Sequence, residues 1–338
     1  MNHMKLPRLI FGFIATTLLF SGFNTTIANA QSTSSNSSAQ GIQISPTLYE
    51  LNAERGKTYS IKLTVMNVTL SDLLYTVSVD DFASSDESGS PHIILNSELP
   101  ETASIITWIS TIPEFTLKSH ESRVVDAQIT IPSSAEPGGH YGVLRFSGIA
   151  PELDSTGVGL SASAGVLILI RVDGVISETA TLASFYSANG DKQSSFFENS
   201  SINFVTRVKN EGNIHIKPSG DIEIRDMFGG LTASFPINKT EPRSNVLPNS
   251  IRRFETTLSK PWMIGLYTAN ITLGYGTTGQ ALTGTISFWV IPWKIIFVGL
   301  VALVTLFFIL RRLIRVYNRR IIEKSKNENN NKNKKNKK

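Results

Sequence analysis

Hydrophobic and polar residues alternate with a period of two along much of the chain between residues 41 and 290. In residues 59–67, YSIKLTVMN, apolar side chains occupy the odd positions and polar side chains the even positions up to Val65. This alternation predicts a β-strand with one buried face and one face in water.

Similar runs recur, with Pro, Gly, Asn and Asp between them, and no sustained helical period occurs before residue 290. Residues 165–172 are apolar on both faces and predict a central or interface strand. The other predicted strands are residues 73–79, 124–131, 141–146, 202–210, 221–225, 231–235, 251–258, 267–275 and 284–289. Short strands with turn signals between them predict an all-β fold of immunoglobulin-like β-sandwiches.

We predict two tandem immunoglobulin-like domains, residues 41–182 and residues 183–290, with the boundary close to a polar loop at residues 187–195. Each strand set contains a strand that ends in asparagine, at Asn67 and at Asn210. This shared feature indicates two related domains or, alternatively, independent use of a good turn residue.

The N-terminus predicts export. Residues 1–30 have a short basic start, an apolar run at residues 9–20 and small residues before Ala30, which is typical of a cleaved signal peptide. An uncleaved anchor is disfavoured because the apolar run is too short to span a bilayer. Residues 31–40 are rich in Ser, Gln and Asn and predict a flexible leader.

A second apolar segment predicts a single transmembrane helix at residues 291–312. Its centre, residues 295–310, contains no charged residue, and Trp289 and Trp293 are expected at the outer membrane interface. A buried core helix is the alternative, and the basic residues that follow argue against it.

Twelve of the 32 Lys and Arg residues lie from Arg311 onward, so residues 313–338 are predicted to be a basic cytoplasmic tail, and the β domains extracellular. Contact of the tail with anionic headgroups is favoured over a nucleic-acid-binding arm. The tail from Asn327 is expected to be too polar to fold.

Charge and cysteine content limit which partners and which stabilising bonds the ectodomain can have. Without the tail and the two basic residues of the signal, 18 basic and 25 acidic residues remain, and residues 31–310 carry a net charge of −7. This balance disfavours nucleic acid as a partner. The chain has no cysteine, so disulfides do not stabilise it.

Few residues suggest chemistry. The four histidines of the ectodomain lack metal-ligand spacing and are predicted to be solvated loop residues: His92, His120, His140 and His215. Trp108 is either a core residue or a sugar-stacking platform, and its apolar neighbours Ile106 and Ile109 favour the core.

The acidic residues Asp80, Asp81, Asp86 and Glu87 supply oxygen atoms of the kind that bind Ca²⁺. They lack the alternating spacing of an EF-hand loop, which favours a solvated acidic loop instead. We therefore predict no catalytic, cofactor-binding or metal-binding residue.

Residues 42–46 (IQISP), 65–67 (VMN), 108–109 (WI) and 129–142 (ITIPSSAEPGGHYG) carry a resemblance to a known family. Together, residues 42–147 resemble the peptidoglycan-binding domain of the WxL-interacting cell-surface proteins of Gram-positive bacteria. The order of signal, two β domains, membrane span and Lys-rich tail is similar as well.

The resemblance implies a non-catalytic, membrane-anchored scaffold of the cell envelope that uses no cofactor. Its first domain would bind cell-wall polymer (peptidoglycan), and its second domain would bind a surface protein. The second domain is more similar to a generic bacterial immunoglobulin-like module. Two alternatives remain: a wall-acting hydrolase or transglycosylase with dispersed carboxylates, and an anchored assembly chaperone, suggested by a looser similarity to pilus chaperones.

Overall fold

A computed structural model describes residues 41–94, 99–149, 161–198, 201–260 and 262–335 of the 338-residue chain. Eighteen β-strands are followed by one α-helix within this part of the chain, α1 (Trp293–Lys335). The prediction of a mostly β chain with an apolar C-terminal helix is confirmed. The predicted signal peptide and leader, residues 1–40, lie outside the described residues.

The N-terminal half consists of two sheets around one hydrophobic core. Its strands are β1 (Ile42–Ser45), β2 (Leu48–Ala53), β3 (Thr58–Asn67), β4 (Leu73–Ser84), β5 (Pro91–Ile94), β6 (Phe115–Leu117), β7 (Ser122–Thr130), β8 (Gly138–Ile149) and β9 (Ser161–Val172). One sheet has the order β1-β3-β7, and the other has the order β2-β9-β8-β4-β5, with β6 paired to β4. Strand β9 lies between β2 and β8, as its apolar sequence predicts.

The C-terminal half has the same two-layer plan around a separate core. Its strands are β10 (Ala180–Asn189), β11 (Lys192–Gln193), β12 (Phe196–Phe197), β13 (Ser201–Asn210), β14 (Ser219–Asp226), β15 (Leu231–Ile237), β16 (Ile251–Ser259), β17 (Gly265–Tyr275) and β18 (Gln280–Val290). The sheet orders are β11-β10-β13-β16 and β12-β18-β17-β14-β15. Phe204 and Phe288 meet in the core with ring centroids 5.6 Å apart.

The predicted boundary between residues 182 and 183 falls inside β10, which pairs with β13 from Ala180 onward. The prediction of a loop at residues 187–195 is partly wrong as well, because β10 continues to Asn189 and pairs with β11 in a hairpin. Local bonding accounts for this difference: the Ser187 hydroxyl donates to the carbonyl of Ser194 (2.7 Å), so a polar residue is satisfied within the hairpin.

Asn67 and Asn210 form equivalent corners at the ends of β3 and β13, and both side chains are fully buried. In each corner the side-chain oxygen accepts a hydrogen bond from the backbone two residues later, at Thr69 (2.9 Å) and at Gly212 (2.9 Å). The feature shared by the two sequences is therefore a shared local structure, an asparagine turn with a buried side chain.

The amide groups of these asparagines also bind carbonyl oxygens. Asn67 donates to Ser71 (2.8 Å) and Asn210 donates to Ile214 (2.7 Å), in each case four residues later. Each amide also reaches a segment distant along the chain, Leu117 (3.2 Å) for Asn67 and Val246 (2.8 Å) for Asn210. Each corner thus joins the end of one strand to a segment from elsewhere in its half.

Helix α1 begins directly after Pro292, a residue that is tolerated before the first turn because its missing N–H has no partner there. Within Trp293–Lys326, an 18-residue window has a mean hydropathy of 2.5, and none of it is buried. The helix is therefore long and apolar enough to cross a membrane.

The expectation that the chain from Asn327 is too polar to fold is wrong as far as Lys335, where α1 ends. Residues 300–335 contain neither glycine nor proline. A helix nucleated in the apolar segment therefore meets no residue that stops its propagation.

Replacing either corner asparagine with alanine should lower the free energy of unfolding by about 2–4 kcal/mol, because buried carbonyl groups lose their donors. Denaturant titration of Asn67→Ala and Asn210→Ala in detergent, followed by circular dichroism, measures this loss. Asn52→Ala, at an exposed position on β2, is the matched control. Losses no larger than that of the control would show that the corners do not stabilise the fold.

Candidate functional site

The four acidic residues of the predicted loop do not point to a common centre. Asp80 forms an ion pair with Arg145 (2.9 Å), and the buried Asp81 accepts a hydrogen bond from the backbone N–H of Ile105 (3.0 Å). Among the described residues, no group of three or more His, Asp or Glu side chains could hold a metal ion. The prediction of a solvated acidic loop is wrong for Asp80 and Asp81, because both lie on strand β4, where Asp80 is ion-paired and Asp81 is buried.

The other two acidic residues differ from each other. Asp86 accepts a hydrogen bond from the Ser88 hydroxyl (2.6 Å) in an exposed turn. Glu87 instead forms an ion pair with Arg207 of the C-terminal half, and this guanidinium holds the pKa of Glu87 below its ordinary value. Glu87 therefore contributes to the contact between the two halves.

His92 and His120 are exposed, as predicted, but His140 is buried within β8. Its two ring nitrogens lie 2.8 Å from the carbonyl oxygen of Ala103 and 2.9 Å from that of Glu136. Its ring also lies beside Trp108, with centroids 4.6 Å apart. His140 thus ties two connections to the sheet and has a structural role.

Trp108 is a core residue, as its flanking residues predict: only 2% of it is exposed. Its indole N–H donates to the carbonyl of Glu101 (3.0 Å), which satisfies the polar atom of the ring. A sugar-stacking role is excluded, since the ring faces are not accessible.

Tyr141 and His215 form the centre of the junction between the two halves. The backbone N–H of His215 donates to the Tyr141 hydroxyl (2.7 Å), and this hydroxyl lies 3.2 Å from Nδ1 of His215. Burial lowers the pKa of His215 to about 4 and raises the pKa of Tyr141, so both groups are neutral near pH 7.

Asn213 connects three segments at the same junction. Its backbone carbonyl accepts a hydrogen bond from Gly139 (2.8 Å), and its side-chain oxygen accepts one from the backbone of Ser177 (2.8 Å). Its side-chain amide donates to the carbonyl of Val175 (2.9 Å). Gly138 has a φ of +129°, and a Cβ there would lie 2.8 Å from the Asn213 carbonyl, so this close approach requires glycine.

Charged contacts lie on the two sides of this centre. Glu50 on β2 accepts hydrogen bonds from Lys217 (2.5 Å) and Asn245 (3.3 Å). Burial alone would raise the pKa of Glu50, but these hydrogen bonds outweigh it and hold the pKa below its ordinary value. The backbone carbonyl of Glu87 accepts from Arg253 (2.7 Å) in addition to the ion pair of its side chain.

Two open cavities flank the junction, one of about 410 Å³ beside Glu50 and Lys217 and one of about 380 Å³ beside Tyr141. In the larger cavity, Glu178 accepts hydrogen bonds from the backbone and hydroxyl of Thr277 (2.6 and 2.8 Å). Glu50 thus joins the two halves, and Glu178 binds the turn between β17 and β18.

Strand β7 presents an unpaired edge in the N-terminal half. On the side away from β3, the carbonyl of Gln128 accepts from Ser110 (2.9 Å) and the N–H of Thr130 donates to Trp108 (2.8 Å). Backbone groups alternate between the two sides of a strand, so those of residues 122, 124 and 126 point the same way. No described backbone group pairs with them. We call these outward-facing groups of residues 122–126 the β7 edge.

Sequence reasoning missed the junction and the β7 edge. The dense group of polar residues at 210–217, NEGNIHIK, was a signal for the junction, since turn residues there alternate with apolar ones. The alternation of β7 predicts a strand but contains no information on whether a neighbour covers its far side.

No protein-family model matches the chain, and no curated protein matches it. Among solved structures, the class 5 fimbriae chaperone CfaA matches at 12% identity over 72% of this chain and 98% of its own, with a TM-score of 0.38. The YadV chaperone matches at 11% identity over 73% and 100%, with a TM-score of 0.36. The E. coli chaperone DraB matches at 15% over 74% and 96%, with a TM-score of 0.33.

These chaperones are of the class named above as an alternative function, and not of the class of wall-binding scaffolds. Their identities and TM-scores are too low to identify what this chain binds.

The stability of the protein should fall on acidification from pH 7 to pH 5. In the unfolded chain His215 has a pKa near 6.5, so between about pH 6.5 and 4 only the unfolded state gains this proton. We expect a loss of about 1–2 kcal/mol by pH 5, measured by denaturant titration at each pH. His215→Gln should flatten this pH dependence.

His120→Asn is the matched control, because His120 is exposed and asparagine tolerates its φ of +59°. This control should keep the pH dependence of the parent chain. An unchanged slope in His215→Gln would show that the junction histidine is not responsible.

Proposed function

We propose that this chain is a non-catalytic, membrane-anchored binding protein of the cell envelope that holds another polypeptide at the β7 edge. The observation that carries the proposal is the unpaired edge itself, in the half of the molecule that lies farther along the chain from the helix. An anchored assembly chaperone would be one protein of this kind.

The halves follow one another away from the helix. Strand β18 ends at Val290, two residues before α1 begins after Pro292, and β17 pairs with it from Gly265 to Tyr275. The junction residues lie beyond the opposite ends of these strands, since Tyr275 donates to the carbonyl at the start of β10 (3.4 Å). An eleven-residue strand spans about 35 Å, so about this length of the C-terminal half lies between the helix and Tyr275 near the junction.

A polypeptide is the ligand that fits an unpaired edge. The N–H and C=O groups of a strand repeat at a spacing that the backbone of another extended chain matches, whatever its side chains. Val124, at the middle of the β7 edge, is an exposed apolar residue that offers a side-chain contact in addition.

Removing one N–H from the β7 edge should weaken binding about tenfold, the equivalent of one strong hydrogen bond. Val124→Pro removes an N–H that points away from β3, and Val124→Thr keeps it. We expect a photoreactive residue at Ser122 to form a polypeptide adduct in cells that express the chain. The adduct should persist in Val124→Thr and be strongly reduced in Val124→Pro.

Mass spectrometry of the adduct decides between the candidate ligands. Muropeptide fragments in the adduct, or polypeptide adducts that are equally abundant in Val124→Pro, would contradict binding at the β7 edge. The first of these outcomes would favour the wall-polymer function that the family resemblance implies.

The proposed orientation can be tested separately, because the chain has no cysteine of its own. Thr278→Cys, in the exposed turn between β17 and β18, should react with a membrane-impermeant maleimide on intact cells. Ser325→Cys, on the basic side of the apolar segment, should react only after the membrane is permeabilised. The opposite labelling pattern would mean that the β halves face the cytoplasm.

A further inference from the structure

Exposed aromatic side chains are concentrated at one end of the C-terminal half. Among the described residues before α1, four large aromatic side chains are exposed: Phe196 (52%), Phe228 (91%), Trp262 (70%) and Trp289 (45%). We call these four residues the aromatic end. All other described aromatic residues before the helix are buried or half-buried.

Strand register places the four residues together. Trp289 lies on β18 opposite Leu266 on β17 and beside Phe196 on β12. Trp262 lies in the connection that enters β17 at Gly265. Phe228 lies in the turn between β14 and β15.

This turn belongs to the same end of the sheet. Asp226, the last residue of β14, pairs with Tyr267 near the start of β17. A Cβ at Gly265 would lie 2.5 Å from the terminal methyl of Met227, so the turn reaches the beginning of β17. Met227, Leu231 and Ile264 are exposed apolar residues at this end as well.

The exposed apolar residues of the rest of the ectodomain are of a different type. The exposed large apolar residues of the N-terminal half and the linker are all aliphatic: Leu70, Leu74, Leu99, Val124, Ile149 and Val175. Single aliphatic side chains on a surface are ordinary, whereas a cluster of exposed aromatic residues marks an interaction surface.

We propose that the aromatic end is seated in the headgroup region of the same membrane that α1 crosses. This inference rests on the anchoring proposed above. The side chains of Trp and Phe are favoured where an apolar ring can enter the lipid boundary while polar atoms stay in water.

The short connection between β18 and the helix keeps this surface close to the bilayer. Only Ile291 and Pro292 separate β18 from α1, and two residues span at most about 7 Å. Lys294 in the first turn of α1 forms an ion pair with Glu198 (2.9 Å), directly after the strand that carries Phe196. Phe196 and Trp289 are therefore held close to the membrane surface while the helix is inserted, and Phe228 and Trp262 lie at the same end of the sheet.

A second copy of the chain is the competing occupant of this surface. The continuity with the membrane-spanning helix favours lipid, because every copy has its own bilayer within reach, whatever the protein concentration. Seating of this kind also fixes the tilt of the C-terminal half relative to the membrane. Through the junction, it would set the height of the β7 edge.

The test uses the full chain in lipid vesicles, with a fluorescent label on one introduced cysteine at a time. Phe228→Cys reports on the aromatic end, Thr278→Cys on the opposite end of the same sheet, and Val304→Cys on the middle of the helix. Quenchers are placed in the lipid headgroup, in the acyl chain or in the water. We expect the headgroup quencher to act strongly at position 228 and the acyl-chain quencher at position 304.

Position 278 should be quenched only from the water. If position 228 behaves like position 278 while position 304 is quenched from the acyl chain, the seating is wrong and the anchor stands. If position 304 is not quenched from the acyl chain, the anchor and the seating both fail. Protection of position 228 from all three quenchers, which increases with protein density, would identify a contact between copies and overturn the lipid proposal.

The native indoles supply a second measurement without an attached label. In vesicles of lipids brominated near the headgroup, the tryptophan fluorescence of the parent chain should be partly quenched. Trp262→Phe should lower the quenched fraction, because it removes the most exposed indole at the aromatic end. An unchanged quenched fraction in Trp262→Phe would contradict insertion of this connection.

Discussion

The contact between Tyr141 and His215 is the constraint on which the arrangement of the two β halves depends. Each half has its own core, so nothing in the cores dictates how one half meets the other. The Tyr141 hydroxyl accepts from the backbone N–H of His215 and lies 3.2 Å from a ring nitrogen of an imidazole that burial keeps neutral near pH 7. Polar pairs on other sides of this contact, such as Glu50 with Lys217, also join the two halves. A junction with hydrogen bonds to backbone, side chain and linker resists bending more than a single flexible linker would.

The strands of this protein could be predicted from its sequence because alternation is a local property, visible within ten residues. The two asparagine corners were visible for the same reason, although the sequence left open whether Asn67 and Asn210 were equivalent. Their common hydrogen-bond pattern now supports equivalence. The predicted boundary at residue 183 falls inside β10 because the polar segment around Ser187 resembles a loop in the sequence. In the structure, the Ser187 hydroxyl forms its hydrogen bond within a hairpin. Polarity alone therefore does not distinguish a loop from a hairpin that bonds to itself.

The candidate site could not be predicted in the same way. Tyr141 and His215 are 74 residues apart in the sequence, and the residues around each do not indicate that the two side chains are in contact. The turn residues at 210–213 favoured a solvated loop for His215, but Tyr141, which contacts its ring, comes from the other half. The β7 edge depends on strand order, which alternation does not encode. Asp81 and Glu87 likewise resembled a solvated acidic loop, and only the fold shows one in the core and the other bridging the halves.

A binding surface that is held away from a membrane keeps a defined height and orientation only if the structure between it and the membrane is rigid. In the proposed arrangement, three elements meet that requirement in series: a helix that crosses the bilayer, a C-terminal half whose aromatic end lies in the headgroup region, and a junction with several hydrogen bonds. Loosening any one of them would let the β7 edge sample many heights and orientations. Because ordering an edge against an incoming strand costs conformational entropy on both sides, a support that is already rigid leaves more of the hydrogen-bond energy for binding. The polar junction is thus best understood as a device for orientation, with its buried histidine kept neutral so that its hydrogen bonds persist near pH 7.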